Sequence, residues 1–120
     1  MARTELTIRK CTEFNKFSEP FAFLTAAIGA EGAEFVHEDR DNKYLVMLTS
    51  KQETEAVVTI HHGNGLQGVS DLVITLAPKA RSVVCLESGR FKNVSGEDKG
   101  KIIITQSVGS DIKITVFKLP

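Results

Sequence analysis

The chain is a succession of short apolar runs separated by polar turns, and the runs carry the two-residue period of β-strands. Six runs after the first third of the chain predict strands, over residues 43–49, 56–61, 71–77, 81–87, 101–105 and 111–119. The last run is the clearest, because Ile112, Ile114 and Val116 share one face of an extended chain. β-branched residues dominate the runs, as a pleated surface favours. The pattern therefore predicts β-structure rather than helices.

Turn-forming residues separate these runs. The polar segment 50–55 is suited to closing a hairpin between its two flanking strands, and Pro78 followed by Lys79 predicts a turn. Glycines at positions 89, 96 and 109 mark further breaks. Short strands at intervals of about 10 to 15 residues are typical of a sandwich or barrel, not of βαβ units.

The first third of the chain has a weaker pattern. Residues 4–9 alternate and predict a strand, and residues 33–37 predict another. The phenylalanine-rich stretch 14–23 between them is interrupted by Pro20. Residues 21–30 contain some helix formers but are limited by Gly29 and Gly32, and we allow one helical turn or an extended edge strand here. We expect a single all-β domain over residues 1–120, a β-sandwich of jelly-roll or immunoglobulin-like type. It would have about seven to eight strands, with residues 1–34 as a less regular arm or edge strand.

The composition and charge of the chain limit the classes of partner that we expect. The 120 residues fit one domain with one core, and 15 basic residues balance 15 acidic ones. A net charge of zero disfavours a dedicated nucleic-acid binder and an anionic membrane surface as partners, but it leaves copies of the chain free to assemble. No apolar stretch follows Arg3, as a signal peptide would require, so we expect synthesis in a cytoplasm.

No cluster of residues predicts catalysis. His61 and His62 are neighbours and would point to opposite faces of a strand, which disfavours a shared metal ion. The acidic turn 38–42 lacks the central glycine and distal glutamate of a calcium loop. Cys11 and Cys85 are interpreted as reduced core thiols, and Cys85 as inert within its strand. We expect no enzymatic activity, no cofactor and no metal.

Two loops are candidates for contact with another protein. The segment GNGLQG places three glycines between residues 63 and 68 and predicts a tight connection with positive φ angles; a strand, not a phosphate-binding helix, follows it. In the second loop, the aromatic residue Phe91 lies between the cations Arg90 and Lys92. This arrangement fits a core anchor, a protein contact or a contact with single-stranded nucleic acid, and the balanced charge disfavours the last of these. The candidate interface residues are His62, Gly63, Asn64, Gly65, Gln67, Arg90, Phe91 and Lys92.

The order of these features over roughly residues 35–120 resembles the small decoration, or auxiliary, proteins of bacteriophage heads. The resemblance lies in the GNGLQG loop, the proline turn, an ESGRFKN hairpin and the β-rich end DIKITVFKLP. It implies a non-enzymatic virion protein that binds the phage major capsid protein or other virion proteins and often forms homo-oligomers such as trimers. We expect the assembled virion as its location.

Two alternatives to a head decoration protein remain open. A phage tail or fibre component has a similar composition. A carbohydrate-binding β-sandwich is the alternative outside the virion class. It is disfavoured because such modules use Trp or Tyr platforms, and this chain has no Trp and one Tyr, Tyr44, inside an apparent core strand.

Overall fold

The alternating runs build two β-sheets. The computed structural model describes residues 3–11, 13–15, 26–27, 32–107 and 112–120. The strands in chain order are β1 (Thr4–Glu5), β2 (Ile8–Lys10), β3 (Ala26–Ala27), β4 (Ala33–Val36), β5 (Tyr44–Ser50), β6 (Ala56–Ile60), β7 (Leu72–Leu76), β8 (Arg81–Val84), β9 (Lys101–Gln106) and β10 (Ile112–Lys118). A 3₁₀ turn covers Asp41–Lys43, and one helical turn, α1, covers Ser88–Phe91.

The strands divide between two sheets. Sheet 1 has the order β1-β4-β9-β6-β7, and sheet 2 has the order β2-β10-β5-β8, with β3 also paired to β10. Neighbouring strands are antiparallel except for β1 with β4 and β2 with β10, which are parallel. Strands β7 and β8 follow each other in the chain, yet each lies at the edge of a different sheet.

The inward-facing residues of both sheets form one core. In sheet 1, Ile60 pairs with Ile104 across the ladder, and both are fully buried. In sheet 2, Val46 pairs with Val116 and both are buried as well. One apolar cluster includes residues of both sheets, so the described residues form a mostly β, sandwich-like domain with a single core.

Several connections differ from the sequence prediction. Segment 50–55 does not close a hairpin, because β5 belongs to sheet 2 and β6 to sheet 1, so this segment carries the chain between the sheets. The turn after Pro78 crosses back in the same way, closed by the Ala80 N–H donating to the Ala77 carbonyl at 3.1 Å. The ESGRFKN segment forms α1 rather than a hairpin. Composition identified these turns but not the sheet that each following strand joins.

The first third of the chain contributes short strands rather than one long one. The run 4–9 divides into β1 and β2, which lie in different sheets, so more strands exist than the seven to eight predicted. Most of the phenylalanine-rich stretch lies outside the described residues. Within the described ranges, no helix is long and apolar enough to cross a membrane.

Neither cysteine is a core thiol. Strand β8 ends at Val84, one residue before Cys85, and Cys85 is exposed. Cys11 is half-buried, and its thiol lies 3.8 Å from the Glu13 carbonyl oxygen. Both are free thiols, as the sequence suggested, but the prediction that they are buried in the core is wrong, because β8 ends before Cys85 and β2 ends before Cys11.

Candidate interaction site

Two loops that are separate in sequence lie against each other in the fold. We call residues 61–71, between β6 and β7, the glycine loop, and residues 85–100, between β8 and β9, the basic loop. The Gly63 N–H donates to the Arg90 carbonyl at 2.8 Å. The Asn64 side chain accepts from the Val94 N–H at 2.8 Å and donates to the Ser95 carbonyl at 3.0 Å. The two loops together form one surface, the loop platform.

Close backbone packing explains two of the three glycines in the glycine loop. A Cβ atom on Gly63 would overlap the Lys92 carbonyl oxygen, and one on Gly68 would overlap the Gly63 carbonyl oxygen. A Cβ on Gly65 would only reach ordinary contact with Val94, at 3.6 Å. None of these three glycines has a positive φ, so the predicted φ-positive connection is wrong. The glycines permit backbone to lie against backbone.

Arg90 fastens the basic loop to the end of the glycine loop. Its guanidinium donates to the Ser70 carbonyl at 3.0 Å, to the Ser70 hydroxyl at 3.1 Å and to the Asp71 carbonyl at 3.0 Å. The same group lies 4.7 Å from the centroid of the Phe91 ring. The cation is thus used inside the molecule, where its forked donors hold backbone carbonyls in place.

Phe91 belongs to the core. Its exposed fraction is 4%, and it packs in the same apolar cluster as the sheet residues. The sequence left open whether Phe91 anchors the loop to the core or contacts a partner, and the structure shows the core anchor. The prediction that Phe91 is a contact residue is wrong, because its side chain has almost no accessible surface. Gly63 is likewise buried, whereas His62, Asn64 and Gln67 are exposed and Lys92 is half-buried.

The platform exposes apolar side chains that the sequence analysis did not select. Leu66 is fully exposed, Val69 is 80% exposed and Val94 is 53% exposed. Leu66 lies at the corner of a turn that the Gly68 N–H closes on the Gly65 carbonyl at 3.1 Å. The sequence did contain a signal for Leu66: it is an apolar residue within a glycine-rich turn and has no alternating apolar neighbours that would place it in a strand.

Both histidines of the glycine loop approach one carboxylate. The Asp71 carboxylate accepts the His62 backbone N–H at 2.8 Å, which lowers the pKa of Asp71 below its usual value. The same carboxylate lies 3.5 Å from His61 Nδ1 and 3.9 Å from His62 Nε2. Because β6 ends at Ile60, strand alternation does not apply to these two residues, and the opposite-face prediction is wrong.

This cluster has the order carboxylate, imidazole, hydroxyl, because His61 Nε2 lies 2.7 Å from Thr105 Oγ1. Hydrolytic triads share that order, but they also require free N–H donors around the reacting carbonyl. Thr105 lies within β9, where it pairs with Thr59 of β6. Among the described residues, no group of three or more His, Cys, Asp or Glu side chains is placed to hold a metal ion.

A second charged cluster lies on the outer face of sheet 1. Glu34 is buried between Lys101, at 2.6 Å, and Arg3, at 3.1 Å, and Arg3 also contacts Asp98 at 3.1 Å. Burial opposes ionisation of Glu34, but the hydrogen bonds from Lys101 and Arg3 outweigh it and hold the pKa of this carboxyl below its ordinary value. A carboxylate kept ionised by two cations links β4 to β9 and to the residue that precedes β1.

Comparisons with family models, with curated proteins and with solved structures give no match for this chain. The argument for function therefore rests on the fold and on the loop platform.

Proposed function

We propose that this chain is a non-enzymatic interaction module that docks onto another protein through the loop platform. The observation that carries the proposal is the exposure of Leu66, Val69 and Val94 on loops whose backbone is held by internal hydrogen bonds. Exposed apolar groups favour contact with a partner, and a backbone ordered in advance lowers the entropy cost of binding. Burying each of these side chains contributes about 1.5–3 kcal/mol at most.

The arrangement of the platform fits a protein interface. The apolar side chains lie beside the exposed polar residues His62, Asn64 and Gln67, all of them predicted from the sequence as interface residues. An apolar centre with a polar rim is the usual anatomy of such an interface. Arg90 takes part by holding the two loops together rather than by contacting the partner.

We propose further that the partner is the outer surface of a bacteriophage head, so that the chain is a decoration protein located on the virion. The resemblance over residues 35–120 supports this reading, as does the net charge of zero, which allows many copies to lie close together on one particle. On a capsid lattice, modest single contacts gain strength when assembled copies bind together. A jelly-roll or immunoglobulin-like connection of the two sheets is part of the same proposal.

The carbohydrate-binding alternative has no observation in its favour. Tyr44, the one tyrosine of the chain, is the first residue of β5 and is buried rather than exposed as a sugar platform. The tail or fibre alternative differs from the decoration reading only in the partner, so the same binding experiment separates them.

Co-sedimentation with empty heads tests the proposal. The heads are assembled from the major capsid protein encoded in the same genome, and purified tails serve as the second binding target. We expect the chain to bind heads and the double variant Leu66→Ser/Val69→Ser to bind at least about tenfold more weakly. Val83→Ser, which removes an exposed valine from β8, is the matched control and should bind normally. Binding to tails alone would make the tail the partner. If the double variant bound heads as tightly as Val83→Ser does, the loop platform would not be the docking surface.

A further inference from the structure

The four strands at the sheet edges are protected to different degrees. β1 has two residues, β2 contains Arg9 and Lys10, and β8 begins with Arg81. β7, with the sequence LVITL, has five residues and no charge, proline or glycine among them. Proteins usually protect exposed edge strands from pairing by shortness, charge or proline. β7 has none of these features.

The free side of β7 is accessible and apolar. Among the described residues, β7 pairs only with β6. On its outer face Val73 is 60% exposed and Thr75 is exposed as well. On its inner face Leu72 and Ile74 are only half-buried, although they pack against the core. The core is therefore open along this edge, where one more strand would cover it.

We propose that β7 pairs with β7 of a second copy of this chain, antiparallel and about a two-fold axis at Ile74. Leu72 of one copy would then lie opposite Leu76 of the other, and Val73 opposite Thr75. The inner-face residues of the two strands would close the open edge of both cores, and sheet 1 would continue through both molecules.

Charge favours a second copy as the partner, in this orientation. Asp71, whose carboxylate also accepts the His62 N–H, precedes β7, and Lys79, which also pairs with Glu53 at 3.0 Å on the surface, follows it. Antiparallel pairing brings the acidic end of each strand towards the basic end of the other, whereas parallel pairing would place like charges side by side. The net charge of zero adds no long-range repulsion between copies. The inference does not depend on the proposed function, since it concerns the isolated chain.

The first test is the mass of the purified full chain in solution. Sedimentation equilibrium over about a hundredfold range of protein concentration should show a reversible monomer–dimer equilibrium. A monomer at every concentration, or a closed trimer, would overturn the proposal. Neither result requires heads or any other partner, so this outcome is separate from that of the docking experiment.

Charge substitutions on the outer face of β7 test the pairing register. Val73→Lys with Thr75→Lys places like charges opposite each other across the axis and should raise the dimer dissociation constant by about tenfold or more. Val73→Lys with Thr75→Glu places opposite charges there and should restore dimerisation. Both side chains are exposed, so circular dichroism should show an unchanged fold.

Val83→Lys on the edge strand β8 is the matched control and should leave the dissociation constant unchanged. A dimer weakened by Val83→Lys and not by the double-lysine variant would overturn the assignment to β7. If the double-lysine variant does not fold, the single substitution Val73→Lys gives the same edge a charge and should weaken the dimer; unchanged dimerisation would also reject β7.

Discussion

Among the residues that the structure describes, His37 is the most deeply buried titratable side chain outside the loop platform. It is 1% exposed and lies among aromatic rings, with its centroid 4.4 Å from that of Tyr44 and 6.4 Å from that of Phe35. Neither ring nitrogen has a hydrogen-bond partner among the described residues. Burial lowers the pKa of His37 below its ordinary value of 6.5, since a charged ring would lose its hydration there.

His37 should make the folded chain sensitive to mild acid. Because its pKa is lower in the folded chain, the unfolded chain takes up this proton first, and stability falls as pH drops from 6.5 towards the folded value. Asp41, 3.6 Å away, and Asp39 partly oppose the shift, whereas Lys92 adds to it. The free energy of unfolding should fall by at most about 1.4 kcal/mol for each pH unit.

The variant His37→Phe tests this account. Phenylalanine fills a similar volume and takes up no proton, so it should remove most of the loss of stability between about pH 7 and about pH 5. Urea unfolding of both proteins across that range gives the free energies to compare. Equal pH dependence in the two proteins would show that other groups cause the acid sensitivity.

The glycines of the loop platform differ in what they tolerate. Gly63→Ala should destabilise the folded chain by about 1–3 kcal/mol, because its Cβ would overlap a backbone carbonyl that cannot turn away. Gly65→Ala is the matched control two residues along and should change stability by less than about 0.5 kcal/mol. Chemical denaturation measures both. An equal effect of the two substitutions would contradict the packing described for Gly63.

At the scale of elements, Arg90 connects the two loops. Arg90→Lys keeps the charge but cannot reproduce the forked hydrogen bonds to Ser70 and Asp71, so it should cost about 1–2 kcal/mol of stability. Lys99→Ala removes a cation from an exposed position of the same loop and should cost less than about 0.5 kcal/mol. Thermal unfolding compares the two; a larger loss for Lys99→Ala would mean that charge, not connection, matters there.

The strands and loops also show which parts of the fold could be predicted from the sequence. Strands such as β5 and β10 were predicted within one or two residues, because alternation is a local property of the chain. The connection 50–55 was misassigned because a polar turn looks the same whether the next strand stays in the sheet or leaves it. The contact between Asn64 and Val94 depends on strand order, so both loops could be selected from sequence but their adjacency could not.

At the scale of the whole molecule, the apolar surface lies in distinct places. The loop platform exposes Leu66, Val69 and Val94, and β7, which follows the glycine loop in the chain, presents an uncharged edge. A chain without net charge has little long-range electrostatic steering, so its contacts depend on such local apolar surfaces. We assign the loop platform to a protein partner and the edge of β7 to a second copy of the chain.

The central claim is that the loop platform is the docking surface. Hydrogen–deuterium exchange of the chain, free and bound to empty heads, tests it most directly. We predict that binding slows exchange in peptides covering residues 61–71 and 87–95 and leaves β10 unchanged. Slowed exchange confined to β5 and β10, with both loops exchanging as in the free chain, would contradict the account.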